Sequence, residues 1–139
     1  LEIMENLKDF ENFWKFKNIL ITGHSGFKGS WLTILLKKLG ANITGISLDT
    51  DKNESLFYAA NINKICENHF CDINNKTNLE KIILKNEPDI IFHLAAQPLV
   101  IESYKKPLST LKTNIIGTSN LLEIIRKSNK TKVVVIITS

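Results

Sequence analysis

The sequence predicts a three-layer α/β/α domain built on a doubly wound parallel sheet, and three observations predict it. Short β-branched runs alternate with stretches of helical apolar spacing. The run at 89–94, DIIFHL, carries almost no polar alternation, which suits a strand of a parallel sheet covered on both faces. A glycine-rich turn, TGHSGFKGSW at 22–31, joins the first run directly to the first helical stretch.

Residues 1–17 are a lead-in. Asn18 to Thr22 (NILIT) reads as strand one. From Phe27 the apolar residues fall at Phe27, Trp31, Leu32, Leu35, Leu36 and Leu39, and Gly40 follows as a stop, so a helix is expected over about 28–39 with Phe27 and Trp31 in the core. Asn42 to Leu48 is strand two, with Asp49 just past its end; the polar residues 50–54 then lead into a short helical turn. His69 to Asp72 is strand three, and Leu79, Ile82 and Ile83 mark a helix stopped by Pro88. Asp89 to Leu94 is a buried fourth strand. Pro107 to Lys127 reads as one long helix with two apolar faces, Leu108, Leu111, Ile115 and Leu122 on one and Ile116, Leu121, Ile124 and Ile125 on the other. Lys132 to Ile137 is the last strand. Right-handed crossovers wind such an order into an open sheet, whose ligand site lies at the carboxyl ends of the strands near the topological switch point. The domain is expected to span 18–139, and the fold to be cut short after about the fifth strand. Leu1 in place of methionine, and an apolar run that closes directly on Ser139, add to the expectation of an N-terminal piece of a longer protein without its substrate domain.

Composition narrows the function classes. With 43% hydrophobic and 23% charged residues in 139, a globular core is expected. No run of about 18 apolar residues exists to cross a membrane. Glu2 and Glu5 stand where a signal peptide would be basic and then apolar. Cys66 and Cys71, with His69 between them, lack the second pair that a tetrahedral metal site needs, so no metal is expected and two free thiols fit the cytoplasm. The net charge of +4 comes from lysines spread along the chain, a solvated surface rather than a nucleic-acid interface.

The glycine turn holds phosphates, and its spacing selects which. A triphosphate-binding loop needs its lysine after the last glycine; here Lys28 precedes Gly29. The alternative is Gly23-x-x-Gly26-x-x-Gly29, after one strand and opening one helix, which is the context of a dinucleotide fingerprint and of a Rossmann-type domain. Gly23 permits the turn, Gly26 lets the backbone approach a pyrophosphate, and Gly29 lets the helix pack on the sheet; the pyrophosphate rests on the N–H groups of the helix start. Lys28 opposes the helix dipole, as a cation beside a phosphate or as an ordinary surface lysine. Asp49, twenty residues beyond Gly29, can accept from the adenosine ribose hydroxyls and would repel a 2′-phosphate, which argues for NAD over NADP.

With those residues in place, the sequence resembles the extended short-chain dehydrogenase/reductases, in the nucleotide-sugar epimerase and dehydratase group, and within that group the CDP-glucose 4,6-dehydratases. ITGHSGFKGSWL, SLD, SLF, CDI, PDIIFHLAAQPLV, SYKKPLSTLKTNIIGTSNLLE and VVVIITS carry the resemblance from about Phe13 onward, with His24 and Lys28 its most discriminating letters. It implies a cofactor loop of Gly23, His24, Ser25, Gly26, Phe27, Lys28 and Gly29, with Asp72 and Ile73 beside the adenine. It further implies Ala95, Ala96 and Gln97 on the ribose and nicotinamide side, Asn114 as the family's structural asparagine, and Ser139 as the catalytic serine. His93 reads as a packed strand histidine. The implied reaction oxidises C4 of CDP-glucose with NAD, eliminates water across C5 and C6, and returns the hydride to C6; the implied assembly is a homo-oligomer packed through the 107–127 helix. The group's catalytic base is the tyrosine of YxxxK. No YxxxK occurs here, neither at Tyr58 nor at Tyr104, and Ile101 stands in place of an arginine, so these residues alone are expected to be inactive. Another NAD-dependent nucleotide-sugar epimerase or reductase, or a non-catalytic dinucleotide module, would share the same glycines.

Overall fold

The structure is a computed structural model that describes residues 2–52 and 54–138. Five strands form one parallel sheet: β1 (Asn18–Thr22), β2 (Asn42–Ser47), β3 (Glu67–Phe70), β4 (Ile90–His93) and β5 (Val133–Ile136), in the spatial order β3-β2-β1-β4-β5. The chain works outward from β1 to β3 and then crosses to the other side of β1, so the switch point lies between β1 and β4.

Strand pleating divides the apolar residues between two cores. One row of the register, Ile43, Ile19, Ile90 and Val133, faces one side, and the next, Thr44, Leu20, Ile91 and Val134, faces the other. On the first side Ile19, Ile21, Ile43 and Ile90 pack with Leu36 of α2 (Phe27–Lys38). Trp14 of α1 (Glu2–Trp14) lies against the same core, its ring 6.3 Å from that of Phe92. The lead-in thus contributes a helix that the sequence reading did not assign. On the second side Leu20, Ile46 and Ile91 pack with Leu79 and Ile83 of the fourth helix (Lys76–Asn86, called α4) and with Leu121 and Ile124 of the last one (Thr118–Ile125).

Local chemistry sets the boundaries. α2 ends with Lys37 and Lys38, favourable against its carboxyl dipole, and with Gly40 at φ 85°. The bonds Gly40 N–H to Lys37 O (3.0 Å) and Ala41 N–H to Leu36 O (3.0 Å) close a Schellman motif. The short α3 (Leu56–Ala59) starts at Ser55, whose hydroxyl accepts from Tyr58 N–H, and α4 starts at Asn75, whose side chain accepts from Asn78 N–H.

Several expectations need correction. Phe27 and Trp31 are 71% and 54% exposed and lie outside the core. Four-residue spacing puts them on one helix face, but it is Leu36, with Ser30 and Thr33, that turns to the sheet. Strand three begins two residues earlier than expected and ends at Phe70, so Asp72 stands in the loop beyond it. The long helix is not uniform: after α5 (Val100–Lys105) come α6 (Pro107–Leu111), a π-helical turn at Lys112–Gly117, and α7 (Thr118–Ile125). Ile116, assigned to the face of Leu121 and Ile124, is exposed while those two are buried; at about 3.6 residues per turn even a regular helix carries a residue five positions before Leu121 well off its face. The final strand is a half-exposed edge rather than a buried one.

Candidate functional site

Each candidate loop leaves the carboxyl end of a strand: Gly23 after β1, Asp49 after β2, Asp72 after β3, and Ala95 to Gln97 after β4. The three glycines have different reasons to be glycine. Gly23 turns at φ 75°, its N–H bonded to Ile46 O at 2.7 Å, and a Cβ there would stand 2.8 Å from Ala95 N and Leu94 C. At Gly29 a Cβ would overlap Gly23 O and lie 2.7 Å from His24 Cα, so the helix could not sit this close to the turn. Gly26 has neither constraint: its φ is −71°, and among the described residues the only atom that an added methyl would approach within 4 Å is Gly23 O, at 3.4 Å. The fold itself would accept a side chain there.

Gly26 also caps α2 without a side chain, and the first bond inside the helix is Ser30 N–H to Gly26 O at 2.8 Å. The N–H groups of Phe27, Lys28 and Gly29 therefore have no carbonyl one turn back. No acidic residue stands in that first turn, and Lys28 is exposed on it. Bare amides, positive helix end and open space above Gly26 fit a pyrophosphate. Ser25 Oγ donates to Leu48 O at 3.0 Å and ties this turn to the end of β2, next to exposed Asp49.

Two candidates point inward. The His24 ring is 0% exposed, bonded through Nε2 to Asn68 Oδ1 at 2.5 Å, set edge-on to Phe57, and lodged where a Cβ on Gly45 would stand. Ile73 is buried and fills the space left by Gly117. Their side chains are core rather than ligand-facing, and what either offers a cofactor must come from its backbone. Asp72 is exposed and accepts from Asn74 N–H and Nδ2, while Asn120 Nδ2 donates to Ile73 O at 3.2 Å and pins this loop to α7. Ser139 lies outside the described residues.

After β4, Gln97 is held by Asn114 of the π-turn: Asn114 Oδ1 accepts from Gln97 N–H at 2.8 Å, and Asn114 Nδ2 donates to Gln97 O at 3.2 Å. Asn114 is thus spent on positioning Gln97, whose own amide donates to Thr110 Oγ1 at 3.0 Å.

Behind these residues runs a hydrogen-bond chain of fixed direction. Thr118 Oγ1 donates to Asn114 O at 2.8 Å, so it accepts from His93 Nε2 at 2.9 Å. His93 Nδ1 then accepts from Thr22 Oγ1 at 2.6 Å, and Thr22 Oγ1 accepts from Ala95 N–H at 3.2 Å. Burial favours neutral His93, and in that state the chain runs in this direction with the proton on Nε2. Burial lowers the affinity of both His93 and His24 for a proton. The unfolded chain then binds more protons than the folded one below about pH 6.5, so stability falls as pH drops through that value toward the lowered folded-state pKa values. Urea unfolding at pH 7.5 and at pH 5.5 should show a loss of up to about 1.4 kcal/mol per pH unit for each ring. An unchanged midpoint would mean that neither ring is held neutral.

A parallel sheet of order β3-β2-β1-β4-β5 with a glycine turn at the switch point defines a Rossmann-type nucleotide-binding domain. A family model described as GDP-mannose 4,6 dehydratase matches residues 20–139, and the chain belongs to that family. It is 44% identical over 129 residues to a CDP-glucose 4,6-dehydratase of Salmonella typhimurium, covering 93% of this chain and 36% of that protein. A solved epimerase of Methanothermobacter thermautotrophicus superposes with a TM-score of 0.78 at 30% identity, over 94% of this chain and 38% of the other. A UDP-glucose 4-epimerase of Thermus thermophilus, solved as a complex with NAD, gives 0.72 at 29% identity, over 84% and 36%. The chain spans little more than a third of the length of these relatives. Its domain is of the nucleotide-sugar dehydratase and epimerase type.

Proposed function

We propose that the chain is the NAD-binding part of a nucleotide-sugar 4,6-dehydratase acting on CDP-glucose. The observation that carries the NAD assignment is Gly26, a glycine that its own fold does not require, at the head of a helix with bare amides and an exposed carboxylate, Asp49, beside it. What supports CDP-glucose over other sugars is the 44% identity to the Salmonella enzyme, against 32% to a GDP-mannose 4,6-dehydratase of Vibrio cholerae and to a UDP-glucose 4-epimerase of Pisum sativum.

In this reading the amides of residues 27–29 hold the pyrophosphate, Asp49 accepts from the adenosine ribose, Asp72 and the backbone of Ile73 border the adenine, and Ala95 to Gln97 line the nicotinamide side. When bound, NAD supplies a hydride acceptor at C4 of the sugar and later the donor for C6. The residues of this chain orient it, and Ser139 contributes a hydroxyl to the sugar. The exposed face formed by Leu108, Leu111, Ile115 and Leu122 is the surface through which the protein pairs with a second copy, and the cytoplasm is its setting.

The test has two parts. Residues 1–139 should bind NAD by calorimetry and leave CDP-glucose unconverted; turnover by these residues would overturn the assignment of the base to a YxxxK tyrosine outside them. The full-length protein, given NAD with CDP-glucose, UDP-glucose or GDP-mannose, should convert the first to its 4-keto-6-deoxy product. Preference for either of the others would overturn the nucleotide assignment.

A further inference from the structure

Tyr58 stands at the cofactor edge, yet no motif pointed to it. It lies in α3 with its ring edge-on to the buried ring of Phe57, centroids 5.0 Å apart at 83°, which fixes the body of the side chain. Its hydroxyl donates to Asp49 Oδ1 at 2.8 Å, and Thr50 N–H donates to the same oxygen at 2.9 Å. Oδ2 has no partner among the described residues.

A surface aspartate otherwise turns freely about its side-chain bonds, and ordering it costs entropy when a ligand arrives. Two donors converging on one oxygen settle that orientation in advance and leave the other oxygen to accept. A ribose diol can donate to that oxygen. A 2′-phosphate cannot, and it brings negative charge against a carboxylate that is no longer free to swing aside.

We propose that Tyr58 is a positioning residue that locks Asp49 with one oxygen presented, and so enforces the choice of an unphosphorylated over a 2′-phosphorylated dinucleotide. The inference rests on the cofactor reading given above. The contact has a signature of its own: the hydrogen bond to the Asp49 carboxylate raises the phenol above its ordinary value of 10.0.

The experiment uses both properties. The sequence has two tyrosines, so in a Tyr104→Phe background the ultraviolet titration of phenolate reports Tyr58 alone. Tyr58 should ionise above the ordinary range there, and Asp49→Asn should bring it back. Calorimetric titration with NAD and with NADP should then show that Tyr58→Phe, which keeps the ring on Phe57, weakens NAD about three- to tenfold and leaves NADP unchanged or tighter, as expected for the loss of one hydrogen bond. Thermal unfolding of this variant should match wild type. A phenol that titrates normally, a Tyr58→Phe variant with the wild-type NAD-to-NADP ratio, or one that loses both cofactors equally would each overturn the proposal. If Asp49→Asn also keeps the wild-type ratio, or if wild type binds neither dinucleotide, the cofactor reading fails and takes this inference with it.

Discussion

Replacing Gly29 by alanine should cost the domain a large part of its stability. The added methyl would overlap the carbonyl oxygen of Gly23 and sit 2.7 Å from His24 Cα, and both are main-chain atoms of the turn that the helix packs on. A flexible side chain could move away; a turn already fixed by the Gly23 N–H bond to Ile46 O cannot. Relief requires α2 to back off the sheet, which opens the core around Leu36, Ile19 and Ile43. A loss of at least about 4 kcal/mol is expected, against a total stability of about 5–15 kcal/mol for a typical domain. Urea unfolding followed by circular dichroism measures it. A midpoint within experimental error of wild type would show that the turn and helix pack less closely than described.

Replacing Gly26 by alanine, three residues away, should do the opposite. At φ −71° and ψ 165° any L-residue is at ease, and alanine would narrow the unfolded ensemble, so stability should stay level or rise by about 0.4–1 kcal/mol. NAD affinity should nevertheless fall at least about tenfold, equivalent to about 1.4 kcal/mol, because the methyl occupies the space over the bare amides. Calorimetry on a protein that unfolds like wild type separates the two effects. Undiminished affinity would remove Gly26 from the phosphate site and, with it, the main support for the cofactor assignment.

The contrast between these two glycines shows what the sequence can express. Spacing located all three glycines and the succession of strands and helices along the chain, because periodicity and the strand–turn–helix context are local. It also placed Asp49 after the end of strand two, whereas Asp72 and Ala95 to Gln97 came only with the family resemblance, and Asp72 was expected inside strand three rather than beyond it. What spacing could not express was direction. Phe27 and Trp31 share a helix face with each other but not with the core, and His24 and Ile73 sit within site motifs while their side chains turn inward. The π-turn at Lys112–Gly117 was equally hidden, since its wider hydrogen-bond spacing leaves no mark in composition. Tyr58 carried no signal at all, for its partnership with Asp49 exists only once α3 folds back over the end of β2.

The chain of bonds from Asn114 to Ala95 bears on the order in which a ribosome delivers this site. Thr22 bonds to His93 across a separation of 71 residues, and His93 bonds to Thr118 across 25 more. The main-chain bonds of the glycine turn run within the turn, to α2 and to β2, so the turn proposed for the pyrophosphate can begin to form while the carboxyl half of the chain is still being synthesised. The edge at Ala95 to Gln97 stays unbraced until residue 118 has emerged and the last helix has docked, a closure across long stretches of sequence that comes slowly. The phosphate side of the proposed cleft can therefore begin to form ahead of the edge at Ala95 to Gln97.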